Sequence, residues 1–114
     1  MQIKTLFSES GPLALNIPGY KPRQPQIDMA EMVHAAMENK SQCVVEAGTG
    51  TGKTFAYLIP VLLSDKKSII TTGSKALQEQ LYHRDLPQLA KILNKGRKVA
   101  LLKGRANYLC TYRL

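Results

Sequence analysis

Residues 46–54 read Glu-Ala-Gly-Thr-Gly-Thr-Gly-Lys-Thr, and no other stretch restricts the possible folds of this chain as much. The apolar run Cys43-Val44-Val45 comes before it and Phe55-Ala56-Tyr57-Leu58-Ile59 after it. The order therefore reads as a buried strand, a glycine-rich turn and the first turn of a helix, which is the layout of a phosphate-binding loop. Gly48, Gly50 and Gly52 permit backbone conformations closed to other residues, so that successive N–H groups of Ala47, Gly48, Thr49, Gly50, Thr51 and Gly52 can surround an anion. The helix beginning near Lys53 aims its positive dipole end at the same point. Lys53 is then placed to reach β- and γ-phosphates, and the Thr54 hydroxyl to ligate Mg²⁺. A glycine-rich connection with a chance lysine is the bland alternative, and the strand before and helix after argue against it.

Composition sets the limits around that loop. A chain of 114 residues has the size of one small domain, and 44% hydrophobic with 21% charged residues is ordinary for a globular fold. No run approaches the roughly 18 to 20 apolar residues needed to span a bilayer, and the opening MQIKTLFSESG is too polar for a secretory signal. Cys43 and Cys110 stand far apart, which indicates neither a disulfide framework nor a zinc knuckle and fits a reducing cytoplasm. The formal charge of +8, from 16 Lys and Arg against 8 Asp and Glu, favours an anionic partner such as nucleic acid or nucleotide. A solvated basic surface is about as common, so charge alone decides little.

Periodicity predicts the remaining elements. Pro12 to Leu15 suggests one helical turn after Ser10 or Gly11. Ile27, Ala30, Val33 and Met37 recur at helical spacing and predict an amphipathic helix to about Asn39, with Pro25 in its first turn. A strand over residues 42–46 feeds the loop. The helix from Lys53 to about Leu63 is apolar on nearly every side, with Pro60 as a point of bending or early termination. Ser68 to Thr72 predicts a second strand, followed by a helix from Lys75 to about Arg84 with Ser74 as its N-cap. Pro87 separates that helix from an apolar piece, Leu86 to Leu93, which stops at Asn94-Lys95-Gly96. Arg97 to Leu102 is the third predicted strand. Strands alternating with helices argue an α/β fold with a mostly parallel sheet.

Read in order, EAGTGTGKT, IITTGSKALQEQL and ALLKGRANYLC, preceded by Tyr20 and Arg23-x-x-Gln26-x-x-Met29, resemble the N-terminal end of the iron–sulfur superfamily 2 DNA helicases, the XPD and DinG family. The resemblance covers residues 11 to 110. Ala47 stands where the strict pattern G-x-x-x-x-G-K-[ST] has glycine, and A-x-x-G-x-G-K-T is the form that motif I takes in superfamily 1 and 2 helicases. The resemblance implies a partial P-loop (RecA-like) domain over residues 20–109, with an N-terminal extension over 1–19 and the start of an iron–sulfur region over 110–114.

It also implies roles. Gln26 with Arg23 would read the adenine edge, since an amide offers donor and acceptor together, and Tyr20 would stack on the base; capping of a surface helix is the plain alternative for Gln26 and Arg23. Thr72, Gly73 and Ser74 would hold a single-strand phosphate at motif Ia, with Gln78 one turn further on. Lys103, Gly104 and Arg105 would meet DNA backbone or simply be solvated. Cys110 would be the first of four thiolates around a [4Fe–4S] cluster, whereas Cys43 reads as a buried apolar residue inside a strand. His34 and His83 have no metal-ligand spacing. ATP, Mg²⁺, single-stranded or forked DNA and DNA replication or repair proteins are the implied ligands and partners, with 5′ to 3′ translocation and no membrane.

No D-E-x-H or D-E-A-D box occurs in the chain, and hydrolysis needs such an acid for Mg²⁺, a group to orient water and an arginine finger. The chain thus reads as a piece, about the first half of helicase domain 1, expected to bind nucleotide weakly and turn over none. Two readings from other classes stand beside it: another P-loop enzyme, such as a nucleotide kinase or AAA-type ATPase, and a truncated product acting only as a nucleotide- or partner-binding module.

Overall fold

An α-helix satisfies its backbone polar groups from within its own segment, and helices are what order this chain. The computed structural model describes residues 2–46, 52–94 and 98–104. Two short helices come first: α1 (Ile3–Leu6) and α2 (Pro12–Asn16). Gly11 caps α2 where a Cβ would meet the Leu6 carbonyl oxygen at 2.7 Å. Pro12 takes the first turn, where its missing N–H costs nothing.

The predicted amphipathic helix is α3 (Gln24–Glu38), with Pro25 in its first turn and Gln26, Ile27 and Ala30 buried. It ends as Lys40 turns to φ 52° and the Ser41 N–H returns to the Ala36 carbonyl at 2.9 Å, a left-handed stop of the kind more often made by Gly or Asn. The helix after the glycine-rich loop is α4 (Lys53–Leu63), which buries Ala56, Leu58, Ile59, Pro60 and Leu62. Pro60 does not cut it short. The Ser64 N–H still closes on the Pro60 carbonyl at 3.1 Å.

Beyond residue 74 the sequence predicts a helix broken at Pro87, and the structure joins the pieces. Ser74 Oγ accepts from the Leu77 N–H at 3.4 Å and caps α5 (Lys75–Gln80) as expected. A π-helical turn (Leu81–Asp85) then leads straight into α6 (Leu86–Ile92). Pro87 has no N–H for the carbonyl four residues back and its ring crowds that position. A widened turn just before it absorbs both problems without ending the helix.

One apolar cluster holds these elements together. Ile3, Leu6, Phe7 and Leu13 join Ile27 and Ala30 of α3, Ala56, Leu58, Ile59 and Leu62 of α4, Leu81 of the π turn and Leu89 of α6. α3 runs along α4, α1 packs on α3, and α2 and α4 both meet α6. The N-terminal residues therefore line the core, and Phe7 and Leu13 are fully buried.

The three predicted strands are where sequence and structure differ. Among the described residues no strand occurs, and 42–46, 68–72 and 98–102 carry no regular structure. Val44, Ile69 and Leu102 are 95%, 92% and 83% exposed, and Cys43, expected in a buried strand, is exposed too. A strand, unlike a helix, finds its hydrogen-bond partners only on its neighbours, and a few isolated segments do not make a stable sheet in water. The isolated 114-residue chain is accordingly expected to unfold over a broad, shallow transition in urea and to associate through these apolar segments. A sharp, concentration-independent melt of a monomer would contradict this.

Candidate functional site

The geometry gathers around Gly52, the residue that hands the loop over to α4. Its φ of 78° and ψ of 37° are left-handed, a conformation that costs any side chain. Its carbonyl accepts twice, from the Ala56 N–H at 3.2 Å and from Gln26 Nε2 at 3.1 Å. Gln26 is only 5% exposed, and its other amide atom, Oε1, lies 3.2 Å from the Tyr20 hydroxyl. The carbonyl acceptor at Gly52 fixes which end of this amide is nitrogen. Tyr20 in turn reaches the Phe7 carbonyl at 3.0 Å. Burial raises the Tyr20 pKa, and the charge of nearby Arg23 partly offsets the rise. Three residues assigned to nucleotide from sequence, Tyr20, Gln26 and Gly52, are thus in one hydrogen-bonded chain, while Arg23 stands exposed at the N-cap of α3.

Lys53 and Thr54 open α4. Lys53 is exposed, Thr54 half-buried, and Gly52 at the N-cap carries no side chain to bond the leading N–H groups of α4, the kind of group that a helix start offers to an anion. Tyr57, one turn on, shares a side-chain hydrogen bond with Thr54. Burial raises the Tyr57 pKa, the bond from Thr54 lowers it, and the charge of Asp85 raises it again. Asp85, on the π turn, is 3% exposed and takes Gln80 Nε2 at 3.1 Å and Arg84 Nε at 3.3 Å. Sequence reading passed over Tyr57. Its place three residues after Thr54, on the same helix face, was the available signal.

A second group forms where α5 meets residues 102–103. Thr72 Oγ1 donates to the Ser74 carbonyl at 3.0 Å, and Gln78 Nε2 donates to the Leu102 carbonyl at 2.9 Å. Glu79 lies 2.7 Å from Lys103 Nζ and 3.0 Å from His83 Nε2. The hydrogen bond from Lys103 holds the Glu79 carboxyl below the usual carboxylate range. Thr72, Gly73, Ser74, Gln78 and Lys103 are therefore brought onto one surface, with Glu79 as the member that sequence reasoning missed.

Ala47, Gly48, Thr49, Gly50, Thr51, Arg105 and Cys110 lie outside the described residues. Among the described residues no group of three or more His, Cys, Asp or Glu could hold a metal ion. The whole chain has two cysteines, so it does not by itself supply the four thiolates of a [4Fe–4S] cluster. No helix among the described residues is long and apolar enough to cross a membrane.

A glycine-turned helix start bearing Lys and Thr thus lies beside a buried glutamine, and comparison with known proteins gives the family. The DEAD/DEAH box helicase family model matches residues 27–108, and the chain belongs to that family. Within it, the chain is similar to the ATP-dependent DNA helicase YoaA of Haemophilus influenzae, at 60% identity over 113 residues, covering 99% of this chain and 18% of that protein. YoaA of Escherichia coli K12 is 61% identical over 108 residues, covering 95% and 17% respectively. The ATP-dependent helicase DinG of Mycobacterium tuberculosis H37Ra is 47% identical over 96 residues, covering 77% and 14%. The chain thus spans less than a fifth of the length of these relatives. The resemblance to DinG-type helicases read from the motifs is borne out. No solved structure matches the chain with significance.

Proposed function

We propose that this chain is the first part of the motor domain of an ATP-dependent DNA helicase, in which ATP hydrolysis drives unwinding. The observation that carries the reading is the start of α4: Lys53 and Thr54 follow a left-handed Gly52, which brings no capping side chain to this helix N-terminus. Lys53 contacts the β- and γ-phosphates, Thr54 ligates Mg²⁺, and residues 47–52 wrap the phosphates with backbone N–H groups. Mg²⁺, which Thr54 would help to hold, would offset the negative charge of the phosphates. Tyr20, Arg23 and Gln26 form the base end of the site.

In the same proposal, residues 42–46, 68–72 and 98–102 pair into a mostly parallel sheet of a RecA-like α/β domain once further strands of the complete protein flank them. Their exposed Val44, Ile69 and Leu102 support this, being apolar surface that lacks a cover. Single-stranded DNA crosses the surface made by Thr72, Gly73, Ser74, Gln78 and Lys103, with Arg105 close in sequence. The charge of +8 supports an anionic strand as partner. Cys110 supplies one thiolate of a [4Fe–4S] cluster whose other ligands come from elsewhere in the complete protein. Movement 5′ to 3′ on forked DNA, a role in DNA repair beside replication or repair proteins, and a cytoplasmic location complete the proposal.

The test is ATP hydrolysis by the full-length protein carrying this segment, with and without single-stranded DNA. Stimulation of at least about tenfold by DNA is expected if strand binding orders the transition-state groups. Hydrolysis indifferent to DNA would favour another P-loop enzyme instead.

A further inference from the structure

We propose that residues 2–19, which lie outside the span of the family model, are a working part of the nucleotide site: the Phe7 carbonyl holds Tyr20, Tyr20 holds Gln26, and Gln26 braces the turn at Gly52 from which Lys53 and Thr54 start. This rests on the nucleotide reading above and makes Tyr20 a positioning residue.

The observations form an unbroken chain. Phe7 is fully buried among Ile3, Leu6 and Leu13, so its carbonyl is anchored in the core. Tyr20 Oη lies 3.0 Å from that carbonyl and 3.2 Å from Gln26 Oε1, and Gln26 Nε2 donates to the Gly52 carbonyl at 3.1 Å. The hydroxyl has one proton for two acceptors, and it ties the amide of α3 to an atom fixed by α1. Gln26 then presses where a Cβ of residue 52 would stand, so its position and the left-handed turn of Gly52 define one another. Both ends of the amide are occupied and the side chain is buried. In this arrangement Gln26 acts on the turn at Gly52, and through it on the helix start proposed to receive phosphate, the group that every nucleoside triphosphate shares.

A brace and a base reader make different predictions for a ligand without a base. The experiment measures, in the full-length protein, the affinity for Mg·ATP and the inhibition constant of inorganic tripolyphosphate. Tyr20→Phe keeps the ring for stacking and removes only the hydroxyl. It is expected to weaken both ligands about fivefold, the worth of one net hydrogen bond, with the loss falling on KM rather than kcat. In a Gln26→Ala background the same change is expected to add less than twofold, because the two residues act in series. Unchanged affinity, a loss confined to ATP, or full additivity of the two substitutions would each overturn the brace. Lys53→Ala in the same assays separates the outcomes: if it leaves ATP binding and hydrolysis intact, the nucleotide reading itself has failed.

Discussion

Lys53→Ala in the full-length protein is expected to lower DNA-stimulated ATP hydrolysis by at least about a hundredfold, while leaving folding stability within about 0.5 kcal/mol of wild type. Both halves follow from where the residue stands. It is exposed at the first position of α4, directly after a Gly52 that has no side chain to cap the helix. In the proposed site its ammonium would stand where negative charge grows on a transferring phosphoryl group, and removing one preorganised stabiliser of that kind costs roughly 10² to 10³ in rate. The fold, by contrast, loses little, because alanine is the best helix former and Lys53 contributes nothing to the buried cluster. Steady-state hydrolysis together with a urea melt reads both quantities. A variant retaining half the wild-type rate would remove the phosphate role from Lys53.

The second large effect is expected at Gly52, and here stability and binding should fall together. A Cβ at this position runs into the Gln26 amide, on a backbone at φ 78°. Alanine in the left-handed region costs about 1–2 kcal/mol. Displacing Gln26 leaves a buried amide unpaired, at a further cost of about 1–3 kcal/mol. Gly52→Ala is therefore expected to destabilise the full-length protein's motor domain by about 3 kcal/mol and to weaken ATP binding by more than tenfold, as the helix start shifts away from the phosphates. Gly73→Ala is the matched control: nothing lies within 4 Å of its would-be Cβ and its φ is not left-handed. It should change stability by no more than about 0.5 kcal/mol. Equal melts for the two variants would show that the turn at Gly52 is not under this constraint.

How far the sequence could be read depended on the range of the forces involved. α3 and α4 were legible almost to the residue, because apolar spacing, Pro25 and the chain's own i to i−4 bonds all act within a few positions. α1 was not legible, since a single turn has no periodicity to show and stands only because Ile3 and Leu6 are buried by other elements. The π turn was half legible: Pro87 announced a disturbance, and only packing of Leu81 and Leu89 into the core kept α5 and α6 continuous through it. Tyr20 was assigned to stacking by its ring, yet in the structure its hydroxyl makes the observed bonds.

The local chemistry was therefore settled by the order of residues alone: a turn rich in glycine, a lysine and a threonine at a helix start, and the polarity of that helix, all of which involve neighbours along the chain. Tertiary structure alone decided that Gln26 meets Gly52, 26 positions away, and that the N-terminal residues reach the same site through Phe7 and Tyr20. The reason is physical. Such meetings depend on how α1 and α3 dock on α4, and docking is set by non-directional burial of apolar surface, which dictates that faces come together without marking in any short stretch which atoms will touch.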